Sequence, residues 1–162
     1  MLTRRNDDAE DMLLRLSAFF RGTLALDASG AIPLAQEVEL QQAYLHVEQA
    51  RFGAAIELEV DLSPHVAEHR VPALILQPLV ENAVKHGARD GVIAVTAGAD
   101  GDRLLVQITN QVRPGGTPQG TGTGLRNVRD RLHSVYGSAA WLEIDQPSAG
   151  LHRAKLRLPL TA

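Results

Sequence analysis

The chain has no cysteine. Disulfides and thiolate chemistry are thereby excluded, and a zinc site is left with only His and carboxylate ligands. Aromatic residues make up 4% of the sequence, too few for the stacking platforms on which proteins hold nucleic-acid bases. Nor is there a basic excess. Sixteen Lys+Arg stand against 19 Asp+Glu, a formal charge of -3, so the field that draws a polyanionic backbone is missing and no nucleic-acid partner is expected. Long apolar runs are absent too: the stretch 71–80 is broken by Pro and Gln and falls far short of the ~20 residues of a membrane span. The opening MLTRRNDDAED is polar and holds no signal-peptide core. These absences lead to the expectation of a cytoplasmic chain without direct membrane contact, any membrane segments of an intact protein lying upstream.

What is there suits a folded domain. A length of 162 residues, 44% hydrophobic and 22% charged, fits one globular domain with a modest appendage. Residues 8–26 place Met12, Leu13, Leu16, Phe19, Phe20 and Leu24 on one helical face behind an acidic first turn. After the breaker-rich 27–33, helical spacing returns from Leu34 to Phe52 through Val38 and Leu45, and Gly53 stops it. Residues 55–62 alternate apolar and acidic side chains, the pattern of a half-buried strand. Pro72 is read as the first turn of a helix over 73–86, with Gly87 as its stop. Alternating runs at 91–97 and 103–109 flank Ala99-Asp100-Gly101 and predict an antiparallel hairpin. Residues 111–120, with two Pro and three Gly, exclude a regular element, while Leu125, Val128, Leu132 and Val135 mark the buried face of a helix. Strands are expected at 141–144 and 152–158. This irregular order argues for an α+β fold, a two-layer sandwich with a mixed, mostly antiparallel sheet covered by helices, plus an N-terminal helix.

Charge is distributed unevenly. Residues 37–61 carry six acids and one base, residues 103–157 eight bases and three acids, which suggests a basic surface beside the glycine-rich loop suited to a phosphorylated ligand. Three constellations carry possible chemistry. On the helix containing QPLVENAVKHG, the apolar face runs Leu76, Leu79, Val80 and Ala83, and Glu81, Asn82, Lys85 and His86 project together from the adjoining turn. Asn and carboxylate oxygens suit a hard cation such as Mg²⁺, and a Lys one turn on suits phosphate. The same residues also describe a surface Glu81–Lys85 ion pair beside a solvated Asn82. Next, Gly120-Thr121-Gly122-Thr123-Gly124-Leu125 precedes a helix and offers N–H groups for an anion, or simply a flexible loop. No Gly-Lys pair follows, so it is not a Walker loop. Last, Asn110 ends a strand just before the loop, and its amide oxygen can accept a hydrogen bond from an exocyclic amine such as adenine's.

In this order, the runs YLHVEQARF (44–52), VPALILQPLVENAVKHG (71–87) and GTGTGLRNVRDRLHSVYG (120–137) resemble the ATP-binding domain of the GHKL superfamily, and more closely that of LytS-type sensor histidine kinases. The resemblance implies a Bergerat-type pocket for ATP. Asn82 would hold Mg²⁺, with Lys85 near the phosphates and His86 on the same side. Gly120, Thr121, Gly122, Thr123, Gly124 and Leu125 would form the phosphate-side glycine box, residues 111–119, Gly116 included, the ATP lid, and Asn110 the adenine contact. It also implies that residues 1–30 are the end of a dimerisation helix and its joint, and residues 31–162 the catalytic domain.

The sequence departs from the family in three places. The family's adenine residue is an Asp followed by Asn-Gly, whereas here Asn110-Gln111-Val112 stands, and a neutral acceptor predicts weaker binding. Hydrolytic relatives carry a water-activating Glu four residues before the metal Asn, and that position is Pro78, so hydrolysis should be slow. Glu81 is left to assist proton removal from an acceptor imidazole. Finally, the acceptor-bearing segment Pro-His-Phe-Leu-Phe-Asn is absent, and His46, His65, His69, His133 and His152 are read as histidines without a ligand pattern. The expectation is a kinase catalytic fragment that does not label itself but phosphorylates a His on a dimerisation domain, for relay to a response regulator of the LytTR type. The alternative is a nucleotide-sensing pseudokinase without transfer.

Overall fold

The computed structural model describes residues 30–52, 55–88, 90–112 and 123–160. The helix read at 8–26 lies outside the described residues, as do the loop glycines at 116, 120 and 122 together with Thr121. The element order is β1 (Ala31–Pro33), α1 (Leu34–Phe52), β2 (Glu57–Leu62), β3 (Arg70–Pro72), α2 (Gln77–His86), β4 (Val92–Asp100), β5 (Arg103–Gln111), α3 (Thr123–Tyr136), β6 (Trp141–Ser148) and β7 (Leu151–Pro159), with short 3-10 turns after β2 and α3.

Five strands form one mixed sheet in the order β2-β4-β5-β7-β6. β2 pairs with β4 in parallel and every other neighbour is antiparallel. The parallel pair follows from the chain between β2 and β4, which contains α2 and crosses over the sheet. The two tight hairpins rest on glycine: Gly101 (φ 63) turns β4 into β5 and Gly150 (φ 79) turns β6 into β7. Alternation sorts the faces. Ile93, Val95, Leu104, Val106, Ile108, Leu156 and Leu158 point to one side and are buried against Leu34, Val38 and Leu45 of α1, Leu79, Val80 and Ala83 of α2, and Leu125, Val128 and Leu132 of α3. Each such Leu or Ile contributes about 1.5–3 kcal/mol by leaving water. The expected two-layer α+β sandwich is the observed one.

Several expectations need correction. The helix read over 73–86 begins only at Gln77, and Pro72 lies in β3, paired with Ala31 of β1. The cause is Glu37, wholly buried on α1, whose carboxylate accepts the Leu74 N–H at 2.7 Å and the Leu76 N–H at 2.9 Å. Those bonds hold a turn in which Leu74 takes φ 59, outside the helical region, so Pro78 rather than Pro72 is the proline of the first helical turn. The Arg131 guanidinium of α3 donates to the Ala73 carbonyl oxygen on the same turn. Val135 is 54% exposed, so the buried face of α3 runs Leu125, Val128, Leu132 and, in its last turn, Tyr136 rather than Val135. β2 is an edge strand whose Leu58, Val60 and Leu62 share the face of the core residues Ile93, Val95 and Ala97, and at this edge Val60 is left 37% exposed.

The basic surface divides differently from the expectation. Arg103, Arg153, Lys155 and Arg157 occupy the sheet face opposite the helices, not the loop side. There Asp145 takes both Arg153 (2.9 and 2.7 Å) and Lys155 (2.8 Å), Glu143 lies 3.5 Å from Lys155, and Arg103 and Arg157 stack on Trp141. Among the described bases near the loop, Arg126 and Arg129 are exposed on α3.

Candidate functional site

The site is built where α2 ends above the sheet. Burial of Leu79, Val80 and Ala83 turns the opposite edge of α2 outward, so Glu81 and Lys85 are exposed and Asn82 and His86 half-buried. Glu81 accepts a hydrogen bond from Gln77 Nε2 at 2.9 Å, and no ion pair joins it to Lys85 among the described residues. Lys85 and His86 also lie in the last turn, where positive charge complements the helix dipole.

Gly87 closes α2 by donating its N–H to the Ala83 carbonyl at 2.8 Å, with φ -73 and ψ 171. No left-handed conformation is needed. The requirement is closeness: a Cβ at this position would stand 2.4 Å from the Ala83 oxygen and 3.3 Å from Asn110 Nδ2. The absent side chain therefore lets the end of α2 settle on β5, where Ala88 N–H donates to the Gln111 carbonyl at 3.0 Å.

Asn110 is 3% exposed beneath this contact. Its Nδ2 donates to the Gln111 carbonyl at 3.2 Å, and its Oδ1 is buried with no hydrogen-bond partner. Beside it runs a narrow slot lined by Ile56, Ala83, Gly87, Gly91, Ile93 and Asn110. The slot is too tight for a water-sized sphere. Directly across the β5–β7 ladder from Asn110 is His152, 6% exposed, with Nε2 also unpartnered. Burial holds its imidazole below the usual histidine range, and the nearby His86 adds to this while Asp145 opposes it.

The start of α3 meets the start of α2. Thr123 is exposed, Leu125 is a core residue, and a Cβ on Gly124 would lie 3.4 Å from Pro78 Cβ. The N-terminus of α3 thus stands one helical turn along α2 from Asn82, and its first turn carries no acidic residue to offset the dipole. Of the residues singled out in the sequence, Glu81, Asn82, Lys85 and His86 lie along α2, Gly124 approaches its first turn at Pro78, and Asn110 lies under its end at Gly87. Thr123 is exposed at the start of α3 and Leu125 is in the core. Among the described residues no three His, Asp or Glu side chains form a metal-binding group.

Two residues escaped the sequence reading. Glu37 lies in the stripe Leu34, Glu37, Val38, Gln41, Leu45, and that i, i+3, i+4, i+7 spacing is the signal that would have marked an acid in a buried face. His152 has no local signal; only pairing β5 with β7 in register brings it to Asn110.

Comparison with known proteins agrees with the three motifs. The histidine kinase family profile matches residues 1–56. The sensor protein LytS of Enterococcus faecalis is 31% identical over 179 residues, covering 99% of this chain and 30% of LytS. The sensor histidine kinase BtsS of Escherichia coli K12 is 32% identical over 168 residues, covering 98% of this chain and 29% of BtsS. The chain belongs to the LytS type of sensor histidine kinases.

The domain spans about 30% of the length of these curated relatives. Its fold is that of histidine kinase catalytic domains. The Acinetobacter baumannii kinase AdeS matches with a TM-score of 0.64 at 14% identity, covering 94% of this chain and 77% of AdeS. The catalytic domain of histidine kinase ThkA matches with a TM-score of 0.63 at 16% identity, covering 80% of this chain and 94% of that one. No helix among the described residues is long and apolar enough to cross a membrane.

Proposed function

We propose that this domain binds ATP with Mg²⁺ and is the catalytic part of a kinase that phosphorylates a histidine on a dimerisation domain, in a homodimer of the intact protein. The observation that carries the reading is Asn110: an acceptor oxygen buried without a partner, on a residue that lines a slot beneath the end of α2. Buried polar atoms are paired as a rule, so an orphan acceptor facing a crevice calls for an external donor. The chemistry of the lining fits a purine with an exocyclic amine. Its width does not yet, and the slot must open for the ring to enter.

ATP would supply the γ-phosphoryl group. Asn82 would hold the cation, Lys85 would neutralise phosphate charge, and N–H groups at the start of α3 would bind phosphate oxygens together with those of Gly120, Thr121 and Gly122. Glu81 stands exposed one residue from Asn82, one oxygen held by Gln77, and would take the proton that an acceptor imidazole must lose as its nitrogen attacks. Pro78 has no group to activate water, so hydrolysis should be slow. His86, at the end of the same helix, lines the nucleotide side. Residues 111–119, Gly116 among them, would serve as the lid. Residues 1–30 would end the dimerisation helix, the intact protein being anchored in the inner membrane with this domain in the cytoplasm.

The test is transfer in trans. With labelled ATP and a dimerisation domain bearing the acceptor His, the chain should label that domain and not itself, and Asn82→Ala should abolish both labelling and Mg²⁺-dependent binding. Absence of ATP binding at millimolar nucleotide would refute the reading. The narrow slot and the neutral Asn110 favour one second reading, a nucleotide-sensing pseudokinase. Intact binding with no acceptor label would establish it. Onward transfer from the labelled domain to a response regulator, expected to be of the LytTR type, is the further step.

A further inference from the structure

The turn that leads into α2 is held from outside itself. Leu76, at the N-cap position of α2, supplies no capping side chain, and Leu74 stands at φ 59, a conformation leucine rarely adopts. The missing cap comes from α1. Glu37 takes the Leu74 N–H at 2.7 Å and the Leu76 N–H at 2.9 Å, and its carboxylate lies where the α2 dipole favours an anion. A second hold comes from α3, whose Arg131 guanidinium donates to the Ala73 carbonyl. Two helices from separate parts of the chain thus grip residues 73–76. Ala73, Ile75 and Leu76 are buried, so a lost partner is not simply replaced by water.

Arg131 also bears on the placement of α3. That helix meets the entry of α2 at two places: at Gly124, where a Cβ would lie 3.4 Å from Pro78 Cβ, and at Arg131, on the Ala73 carbonyl. The two points are about 10 Å apart along the helix axis. Sliding or turning α3 against α2 breaks one contact or the other. The N-terminal turn of α3 is thereby fixed against Pro78, one helical turn ahead of Asn82.

We propose that Glu37 and Arg131 are positioning residues for the bound phosphates: by gripping the turn 73–76 from two helices they set the register between Asn82 on α2 and the N-terminus of α3. This rests on the ATP reading above, in which those two elements hold the cation and the phosphate oxygens. Glu37, wholly buried, and Arg131, committed to the Ala73 carbonyl, act through the backbone of the turn and not on the nucleotide itself.

Calorimetric titration of the full chain with ATP, once with Mg²⁺ and once with EDTA, tests it in wild type, Arg131→Met, Arg131→Lys and Glu37→Gln, with urea unfolding of each alongside. A cation shared between Asn82 and the phosphates needs α2 and α3 in register, whereas the base end does not, so the ratio of the two affinities reads the register. Arg131→Met keeps the apolar stem without the donor and should weaken binding in Mg²⁺ about tenfold, the value of one hydrogen bond, with little change in EDTA. Arg131→Lys returns one donor and should recover part of the ratio while staying below wild type; should Arg131→Met not fold, this variant carries the test alone. Glu37→Gln should lower the ratio too, and combining it with Arg131→Met should cost less than the two separate effects multiplied, since both grips hold one turn. A lowered unfolding midpoint with the wild-type ratio retained would overturn the proposal and leave two bonds that merely stabilise the fold. Wild type that binds no nucleotide, or gains nothing from Mg²⁺, would overturn the ATP reading itself.

Discussion

Glu37 offers the sharpest test of how α2 is held in place. Its carboxyl is pushed up from 4.5 to about 6, burial outweighing the Leu76 and Leu74 N–H donors and the more distant Arg131, all of which favour the charged form. Each pH unit of displacement is worth about 1.4 kcal/mol, so the ionised carboxylate costs the fold about 2 kcal/mol relative to the protonated one. The sign follows from proton binding. The folded chain holds this proton more tightly than the unfolded chain, so the stabilisation is complete below pH 4.5 and is lost as pH rises through 6. Between pH 5 and 7.5 the linkage relation gives a loss of about 1.2 kcal/mol. Urea unfolding of wild type and Glu37→Gln across this range isolates it: the variant cannot titrate here, so the difference in stability between the two should change with pH by that amount. The variant also leaves one of the two N–H groups without its acceptor, at a pH-independent cost of about 1–3 kcal/mol. A difference that stays constant from pH 5 to 7.5 would refute the claim that Glu37 is folded against its own charge.

Gly87→Ala drives a methyl group to within 2.4 Å of the Ala83 oxygen and against Asn110, so both unfolding stability and ATP affinity should fall, the first by about 1–3 kcal/mol; an unchanged denaturation midpoint would show that α2 can back away from β5. Asn110→Asp supplies a charged acceptor and should tighten ATP binding about fivefold by titration, and unchanged affinity would count against Asn110 as the base contact. His152 runs opposite to Glu37 in its pH dependence. Its folded value lies below 6.5, so its contribution to stability is present above 6.5 and lost as pH falls through the folded value, and His152→Phe should flatten that part of the pH–stability curve.

Much of this domain is legible from local pattern. The hairpin β4–β5, the existence of the closing strands β6 and β7 and the extent of α1 follow from alternation and helical spacing, because each buries one face and local periodicity records which one. The proline-bearing segments were misjudged for a related reason. Pro33 and Pro72 read as breakers or helix starters, yet both sit in a two-stranded edge ladder where a missing N–H is tolerated. The site was half visible. Asn82, Lys85, His86 and Asn110 come from contiguous motifs, whereas Glu37 meets its partners 37 and more positions on and His152 comes beside Asn110 only through strand register.

The sequence alone determined the family, the amphipathic faces, and the donors and acceptors on offer, since these depend on residue type and near-neighbour spacing. Tertiary structure decided where α2 begins, which acid is buried, and which histidine lies beside Asn110. Those outcomes depend on strand register and on a carboxylate of one helix reaching the turn before another, and only the assembled sheet with its covering helices sets such distances.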